Sequence, residues 1–419
     1  MLRVKGTNDF LDFSFYDFVI NQIKKQLNTY CFQQIETPIL EHTELFKRTL
    51  GLHTDVVNKE MFTIQSHSCE PDEKDSLCLR PEMTAPMVRA FVDNNIQTIP
   101  WKVFSIGPCF RYERPQKGRF RQFHQISMEI IGSASINQDV QLIKMLDRLF
   151  HEILQFNNYA LLINFLGCPA DRIVYRHKLK NFLDQHTALI CATCNERKEK
   201  NIMRVFDCKN SEDQKIYQTA PHISDHLCVP CTDEWQMLQN NLELLSVTFK
   251  VHPTLVRGLD YYNKTVFEFI SGGLGAQNTF CGGGRYDQLV TQIGGKKDQQ
   301  SVGAAIGLER LLMILESYKQ VLQIPQPAKL HVILPFGEQQ QILALLLADE
   351  LQAKNLCTQV FLEGDSLKTM MNKANKLGAA YVLLLGQEEQ QNNQVTIKNM
   401  LSGTQETIAQ SEVINYLKK

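Results

Sequence analysis

The stretch FSIGPCFRYERPQKGRFRQFHQISMEIIG, residues Phe104 to Gly132, predicts two β-strands joined by a charged loop. The run from Trp101 to Tyr112 has the β-branched and aromatic content of a strand. Residues 113–118 form a polar turn with a proline and a glycine, and apolar residues return from Phe120 to Ile131. We therefore expect a hairpin around which the rest of the chain is organised.

Cationic side chains are concentrated in this hairpin. Five of them fall within eleven positions, close to Phe120 and Phe123: Arg111, Arg114, Lys117, Arg119 and Arg121. Guanidinium groups match phosphate oxygens two at a time, so the cluster is consistent with phosphate recognition. It is also consistent with an edge hairpin whose charges prevent pairing with another chain. The hairpin alone leaves both interpretations open.

Composition limits the class of protein. A chain of 419 residues is long enough for two to four domains, and its apolar share of 43% and charged share of 21% are those of a globular protein. The formal net charge is −1, so nucleic acid would have to contact local patches. The N-terminus has no apolar signal region, and the longest aliphatic run, near residues 342–348, is too short for a bilayer. With twelve cysteines, these features predict reduced thiols and a cytoplasmic location.

The element pattern predicts a larger α+β domain over residues 1–325 and a smaller α/β domain over residues 326–419. Strand patterns around a flat site, without the regular strand–helix alternation of a Rossmann sheet, indicate a mostly antiparallel sheet flanked by helices. One of these patterns is VHPTLVRGLDYYNKTVFEFIS, from Val251 to Ser271. Charged, helix-like sequence from about 168 to 245 predicts a helical insertion. After the linker at Pro325 and Pro327, strands and helices alternate and predict a mixed sheet.

Two polar sites stand out near predicted helices and turns. Glu82 and Thr84 precede a helix, where they would serve as an N-terminal acid and a cap, or would meet a substrate ammonium group. The glycines of CGGGRYD, residues 281–287, would let backbone approach a ligand closely. They do not form a phosphate loop of the Walker type, because no Lys-Ser/Thr pair follows them.

The insertion carries two C-x-x-C pairs, Cys191 with Cys194 and Cys228 with Cys231. The 33 residues between the pairs exceed the usual gap, but the four thiolates could form one tetrahedral zinc site. Buried free cysteines in a reducing compartment are the other possibility. We assign no metal ligand from the sequence.

Several motifs together resemble the bacterial histidyl-tRNA synthetase family, which are class II aminoacyl-tRNA synthetases, along nearly the whole chain. Thr37-Pro38 resembles class II motif 1 at the dimer interface. FRYERPQKGRFRQFHQ resembles motif 2, and GAAIGLERLL resembles motif 3. Two stretches typical of the histidine enzymes are also present: LVRGLDYY at residues 255–262 and CGGGRYD at residues 281–287.

The resemblance implies a class II catalytic domain, an anticodon-binding domain at the C-terminus and a two-step reaction. Histidine would react with ATP, with Mg²⁺ as cofactor, to give histidyl-adenylate and pyrophosphate. The histidyl group would then pass to the 3′ end of tRNA(His). The resemblance also implies a homodimer. It is shared by a catalytically silent regulatory subunit of histidine biosynthesis, which lacks the C-terminal domain and usually loses catalytic arginines.

Residue roles follow from the same resemblance. Arg111 would contact the α-phosphate, Arg257 would bridge the histidine carboxylate and the α-phosphate, and Arg310 would meet adenine and the γ-phosphate. The implied histidine contacts are Glu82, Thr84, Gln125, Glu129, Arg257, Tyr261 and Tyr262. Within that set, Glu129 and Tyr262 would address the two imidazole nitrogens.

The motif 2 loop would serve the nucleic acid. Arg114 and Gln116 match the positions that read the acceptor end of the tRNA. The roles of Arg119 and Arg121 are not separated by the resemblance, since either would serve the 3′ end or the ATP phosphates.

Overall fold

The predicted hairpin is present in the computed structural model, which describes residues 2–52, 54–64, 76–274 and 278–418. Its strands span Trp101–Phe110 and Gln122–Ile131. They pair antiparallel over their full length, with Trp101 opposite Ile131 and Phe110 opposite Gln122. The charged loop between them runs from 111 to 121. It is longer than the predicted turn.

The hairpin lies inside an eight-stranded sheet of the first of two compact units, Met1–Ile324. Strands of this unit within the described residues are β1 (Gln33–Gln34), β2 (Leu40–His42), β3 (Phe62–Ile64), β4 (Leu77–Leu79), β5 (Trp101–Phe110), β6 (Gln122–Ile131), β7 (Ala160–Phe165), β8 (Lys250–Val251), β9 (Asn263–Ile270), β10 (Thr279–Arg285) and β11 (Ser301–Gly307). The large sheet has the order β1-β5-β6-β11-β10-β9-β7-β8. Only the edge pairs β1–β5 and β7–β8 are parallel, which confirms the prediction of a mostly antiparallel sheet.

Helices cover this sheet and fill the insertion. They are α1 (Ser14–Thr29), α2 (Thr43–Leu50), α3 (Thr84–Asp93), α4 (Asn137–Arg148), α5 (Pro169–Gln185), α6 (Ala192–Lys200), α7 (Ser211–Tyr217), α8 (Val229–Leu244), α9 (Leu289–Gln292) and α10 (Leu308–Leu315). Helices α5 to α8 and a short 3₁₀ helix at Ile202–Asp207 make up the insertion. No helix among the described residues is long and apolar enough to cross a membrane.

Strand alternation sends the residues of β6 to two different environments. Ile126, Met128 and Ile130 are buried in the main core, which also contains the apolar faces of α1 and α4. Because successive side chains of a strand point to opposite faces, Gln125 and Glu129 lie on the other side of the sheet. That side faces the beginning of α3 and carries the functional cavity.

The strand predicted across residues 251–271 is wrong in its first half. Only β8 and β9 form, and residues 252–262 run as irregular backbone between them. Pro253 and Gly258 interrupt the pattern, and neither residue favours a central strand. The apolar residues that suggested a strand, such as Leu255, are buried in a second core instead.

The second unit, Pro325–Lys419, is a separate α/β domain. It contains β12 (His331–Pro335), α11 (Glu338–Gln352), β13 (Thr358–Val360), α12 (Leu367–Lys376), β14 (Tyr381–Leu385), α13 (Gln387–Gln391), β15 (Gln394–Asn399), β16 (Gln405–Ala409) and α14 (Val413–Leu417). The sheet order is β13-β12-β14-β15-β16, with β12 parallel to β13 and β14, and the last two pairings antiparallel. The predicted mixed sheet is confirmed.

Candidate active site

A polar cavity of about 420 Å³ lies on the face of the large sheet that carries Gln125. It is bounded by the hairpin loop, the start of α3, the irregular segment 257–262, β10 and the start of α10. Eight of the predicted site residues line it: Glu82, Thr84, Arg111, Gln125, Arg257, Tyr261, Tyr262 and Arg310. Residues far apart in the sequence therefore meet at one place.

Two arginines form one wall of the cavity. The guanidinium of Arg111 lies 5.3 Å from the ring centre of Phe123, and its Nε donates to the carbonyl of Pro81 at 2.9 Å. Arg310, in the first turn of α10, donates to the carbonyls of Gly118 and Thr279 at 2.7 Å each. Both side chains are held by backbone carbonyls.

Positive charges repel one another in this wall. Burial, followed by repulsion from Arg111 and Arg119, lowers the pKa of Arg310 to about 10. Arg310 therefore remains charged at neutral pH. A polyanion in the cavity would remove this repulsion, since it would place negative charge where the guanidinium groups converge.

Arg257 also lines the cavity, in ion-pair contact with Glu268 on β9. Its Nε is buried and has no hydrogen-bond partner among the described residues. A Cβ at Gly282 would lie only 2.7 Å from Nη1 of Arg257. The glycine thus makes room for the guanidinium, and the buried Nε remains available to a bound acceptor.

Glu82 combines the two interpretations drawn from the sequence. Its carboxylate accepts hydrogen bonds from the backbone N–H groups of Thr84 and Ala85, both at 2.8 Å, and so caps α3. The same carboxylate lines the cavity. Burial raises its pKa. Because the cap fixes the side chain, the carboxylate is presented to the cavity in one orientation.

Glu129 lies behind this wall, outside the residues that line the cavity. The hydroxyl of Thr84 donates to its Oε1 at 2.7 Å, and the hydroxyl of Tyr286 donates to its Oε2. Burial raises the pKa of Glu129 to about 8. The sequence did not single out Tyr286, although the motif CGGGRYD contains it.

Tyr261 and Tyr262 form a buried aromatic corner, with ring centres 4.5 Å apart. Burial raises the pKa of Tyr262 to about 12, so its hydroxyl keeps its proton at neutral pH. A Cβ at Gly284 would lie 2.9 Å from the ring of Tyr262. The glycine run was expected to admit a ligand, but at Gly282 and Gly284 it admits side chains of the site itself.

Arg119 and Arg121, whose roles the sequence did not distinguish, lie in different places in the hairpin loop. Arg119 lines the cavity and forms ion pairs with Glu113 and Glu60. Arg121 lies outside the lining, with its guanidinium 4.0 Å from the ring centre of Tyr112. Arg114 and Gln116 are exposed and also lie outside the lining.

Sequence reasoning missed several residues of the cavity. Glu268 and Glu309 are carboxylates in its wall, and Glu309 accepts from the backbone N–H of His124 at 2.8 Å. Their signal was present, since Glu309 belongs to GLER and Glu268 lies in a strand otherwise rich in apolar residues. Arg204 and Lys209 come from the insertion, and nothing local in the sequence indicates that they reach the cavity.

The arrangement suits a reaction between two anions. Three guanidinium groups surround one part of the cavity, and carboxylate and hydroxyl groups define the adjoining part. Preorganised cations can hold a polyphosphate and stabilise charge that develops on it. The adjoining carboxylates and hydroxyls can bind an ammonium group and a polar ring.

Comparisons with known proteins agree with this chemistry. Residues 15–311 match the family model of histidyl-tRNA synthetase, and residues 331–419 match that of an anticodon binding domain. A histidine–tRNA ligase of Clostridioides difficile (strain 630) is 39% identical over 420 residues, covering 99% of this chain and 98% of that protein. One from Clostridium perfringens (strain SM101 / Type A) is 38% identical, with 99% of each covered. The crystal structure of apo histidyl-tRNA synthetase from S. aureus matches with a TM-score of 0.81 at 29% identity, covering all of both chains.

Proposed function

The chain belongs to the histidyl-tRNA synthetase family, and we propose on this premise that it joins L-histidine to tRNA(His). In the first step, histidine and ATP form histidyl-adenylate and pyrophosphate. In the second step, a ribose hydroxyl at the 3′ end of the tRNA takes the histidyl group and releases AMP. The observation that carries the proposal is the meeting of Arg111, Arg257 and Arg310 in one cavity beside a carboxylate and tyrosine pocket.

The first step requires the histidine carboxylate to attack the α-phosphorus in line with the leaving pyrophosphate. Arg111 would hold the α-phosphate. Arg257 would contact both the amino-acid carboxylate and the α-phosphate. Arg310 would bind the distal phosphate and adenine. Such positioning converts the encounter of two anions into an oriented reaction. The unpartnered Nε of Arg257 supports its role, because a bound anion would satisfy it.

The adjoining pocket would select histidine. The carboxylate of Glu82 has acceptor capacity beyond its two backbone hydrogen bonds, so it can also receive the substrate ammonium group. The hydroxyl of Thr84 donates a hydrogen bond to Glu129, which leaves the hydroxyl oxygen free to accept one from the same ammonium group. Gln125 would assist from the wall.

The imidazole would be recognised more deeply. We propose that Glu129 accepts from one ring N–H and that Tyr262 addresses the other nitrogen, while Tyr261 lines the pocket. Glu129 already accepts from Thr84 and Tyr286, and this supports a carboxylate held in one position. A pocket that satisfies both nitrogens discriminates strongly against apolar isosteres, because they would leave its polar groups unpaired.

Contacts with tRNA involve both units. The match of residues 331–419 to an anticodon binding domain supports binding of the anticodon by the second unit. Arg114 and Gln116 lie on the exposed part of the hairpin loop, next to the cavity wall. We propose that they read the acceptor end while Arg119, which lines the cavity, serves the reacting groups.

Mg²⁺ would accompany ATP. This ion prefers oxygen ligands and is usually held by one or two carboxylates together with substrate phosphates. Glu309 lines the cavity and accepts from the backbone N–H of His124, with Nδ1 of His124 2.9 Å from its Oε1, and its carboxylate retains acceptor capacity. Glu268 is in ion-pair contact with Arg257 and also accepts from the hydroxyl of Thr279. We propose Glu309 as the protein ligand. Bound there, Mg²⁺ would neutralise phosphate charge.

We further propose a homodimer located in the cytoplasm. Ile39 and Leu40, next to the motif 1 proline Pro38, expose 40% and 46% of their surface, which supports burial against a second copy. Free cysteines throughout the described residues support a reducing compartment. Light scattering of the purified chain would give the mass of a dimer. A monomer at micromolar concentration would refute the assembly.

The test of the proposed reaction is ATP–pyrophosphate exchange with each of the twenty amino acids. We expect exchange with histidine alone, and a loss of at least about 100-fold in Arg257→Ala, the scale seen when one transition-state contact is removed. Arg148→Ala, which removes an exposed arginine of α4, is the control and should retain exchange. Exchange with another amino acid would refute the assignment of the pocket.

The regulatory-subunit alternative is disfavoured. Such a protein lacks the C-terminal domain and usually loses catalytic arginines, whereas this chain has a second unit that matches the anticodon binding domain. Arg111, Arg257 and Arg310 all reach the cavity. Histidine binding without any exchange would reverse this conclusion.

A further inference from the structure

The two C-x-x-C pairs of the insertion do not meet to form one site. Each pair instead joins a third cysteine and an aspartate, and the four possible ligand atoms of each group lie within 4.8 Å of one another. The first group, called here the base cluster, contains Cys168, Asp171, Cys228 and Cys231. The second group, called here the tip cluster, contains Cys191, Cys194, Cys208 and Asp213.

Both clusters are built in the same way. In each, a C-x-x-C pair occupies the start of a helix, with Cys228 preceding α8 and Cys191 preceding α6. The backbone N–H of each of these cysteines donates to the aspartate of its cluster, Cys228 to Asp171 at 2.9 Å and Cys191 to Asp213 at 3.1 Å. Two independent segments therefore present the same donor set.

The distances suit a tetrahedral metal centre. The sulfurs of Cys191 and Cys208 are 3.9 Å apart. Four ligands at a zinc–sulfur distance of about 2.3 Å have neighbouring sulfurs roughly 3.8 Å apart. A disulfide would require about 2.05 Å, so this pair is not an oxidised bridge. The Sγ of Cys208 also lies 3.4 Å from Asp213, and that of Cys228 lies 3.5 Å from Asp171.

The two aspartates are buried without a cationic partner. Asp171 and Asp213 expose 4% and 1% of their surface. Among the described residues, no lysine, arginine or histidine forms an ion pair with either carboxylate. A buried carboxylate normally pairs with a charge or coordinates a metal. A divalent cation would satisfy each aspartate together with its three sulfurs.

We propose that each cluster binds one zinc ion through three thiolates and one carboxylate. Soft sulfur ligands in a tetrahedral set select zinc over magnesium or calcium, and four protein ligands leave no open position, as in structural sites. The base cluster connects the beginning of α5 with the beginning of α8, where the chain enters and leaves the insertion. The tip cluster connects α6, the residue after the 3₁₀ helix and α7.

A structural role follows from the size of the insertion. Between the longer helices α5 and α8 it has only short ones, α6 with nine residues and α7 with seven. Small modules often need a metal or disulfides to supplement a limited core. The tip cluster also bears on the cavity, because Lys209 follows its ligand Cys208 directly and lines the cavity wall. Zinc would thereby fix the part of the insertion that reaches the cavity.

Metal analysis of the full chain, produced in zinc-supplemented medium and purified without chelators, tests the proposal. We expect two zinc ions per chain, one in Cys194→Ser and one in Cys231→Ser. Cys31→Ser and Cys357→Ser, which change exposed cysteines outside both clusters, should retain two. A folded wild-type chain with no stoichiometric zinc, or with iron instead, would overturn the proposal. A wild-type chain that holds only one zinc ion, absent from both Cys194→Ser and Cys231→Ser, would mean a single shared site and would overturn it too.

A second experiment does not depend on the folding of the serine variants. A mercurial reagent added to the wild-type chain should release two zinc ions as the six cysteines of the two clusters react. A chromogenic chelator would detect the released zinc. Asp213→His and Asp171→His should still bind two zinc ions, because imidazole is a good zinc ligand. These variants lose only the hydrogen bonds that the aspartates accept from backbone N–H groups. Loss of zinc from both histidine variants, with folding intact, would show that the aspartates only cap helices.

Discussion

Gly303 lies directly opposite Glu129 in the pairing of β11 with β6, and a Cβ at position 303 would lie 1.6 Å from Oε2 of that carboxylate. The backbone oxygen of Met128 would be only 2.9 Å from the same Cβ. The strand cannot shift to relieve the clash without breaking its ladder. Gly303 therefore determines where the carboxylate of Glu129 can lie.

Gly303→Ala should displace Glu129 and weaken histidine-dependent exchange by about 100-fold or more, since small displacements of a positioning group cost this much. Binding of ATP alone, followed by fluorescence or calorimetry, should change far less. Gly272→Ala is the control, because a Cβ there meets no atom within 4 Å. Histidine-dependent exchange at the wild-type level in Gly303→Ala would contradict the assigned role.

Glu129→Gln should change how stability depends on pH. The raised pKa of about 8 keeps the folded carboxyl protonated while the unfolded one ionises near about 4.3. The folded state thus binds more protons between these values, and this contribution to stability is lost as pH rises towards 8. The free energy of unfolding of the wild type, measured in urea, should fall relative to that of the variant from pH 5 to pH 8. Parallel curves for the wild type and Glu129→Gln would contradict this. Glu152→Gln, which changes an exposed carboxylate just after α4, is the control and should give a curve parallel to that of the wild type.

Arg310→Gln should remove most of the stabilisation that ATP confers. Burial, followed by repulsion from Arg111 and Arg119, lowers the pKa of Arg310 to about 10. Bound ATP would relieve the repulsion, and the glutamine leaves less repulsion to relieve. We expect the increase in melting temperature produced by saturating ATP to fall by more than half, with exchange reduced about 100-fold. Arg148→Ala should show the full increase. An unchanged increase in Arg310→Gln would place ATP elsewhere.

The buried pair of Arg285 and Asp139 should matter for stability. Both side chains are at most 1% exposed, and Nη1 of Arg285 also donates to the carbonyl of Ser133 at 2.8 Å. Asp139→Leu should lower the free energy of unfolding by up to roughly 3–5 kcal/mol, because it removes the closer carboxylate from a buried cation and leaves only Asp287, with Oδ1 3.6 Å from Nη1 of Arg285. Adding Arg285→Met should recover part of the loss. A double variant less stable than Asp139→Leu would contradict this.

Arg114→Ala should separate the two steps of the reaction. Arg114 is exposed and does not line the cavity, so exchange with histidine should stay within about twofold of wild type. Charging of tRNA should fall by about tenfold or more, because a charged contact to the acceptor end is lost. Arg148→Ala should charge normally. Equal losses in both steps would place Arg114 in the site of adenylate formation.

Local patterns in the sequence predicted much of this molecule. The alternation of apolar residues around the charged loop gave the hairpin, because period two is a property of neighbouring residues. The same alternation places Gln125 and Glu129 on the face opposite Ile126. Family motifs then located eight residues that line one cavity.

What local pattern could not predict are contacts between distant segments. The third cysteine and the aspartate of each cluster lie in a different segment from its C-x-x-C pair, so the spacing between Cys194 and Cys228 suggested a single site where the structure has two clusters. Arg204 and Lys209 reach the cavity only because the insertion folds back over it. The role of Gly282 is visible only when the guanidinium of Arg257 is seen against it.

The three glycines at positions 282, 284 and 303 have a consequence for mutation of the gene. Each leaves space for a side chain in or directly behind the cavity wall: Arg257 at Gly282, Tyr262 at Gly284 and Glu129 at Gly303. Any missense change of a glycine codon adds at least a Cβ, so these codons have no conservative replacement. These glycines should tolerate amino-acid substitution less well than the charged residues beside them, for which chemically similar amino acids exist.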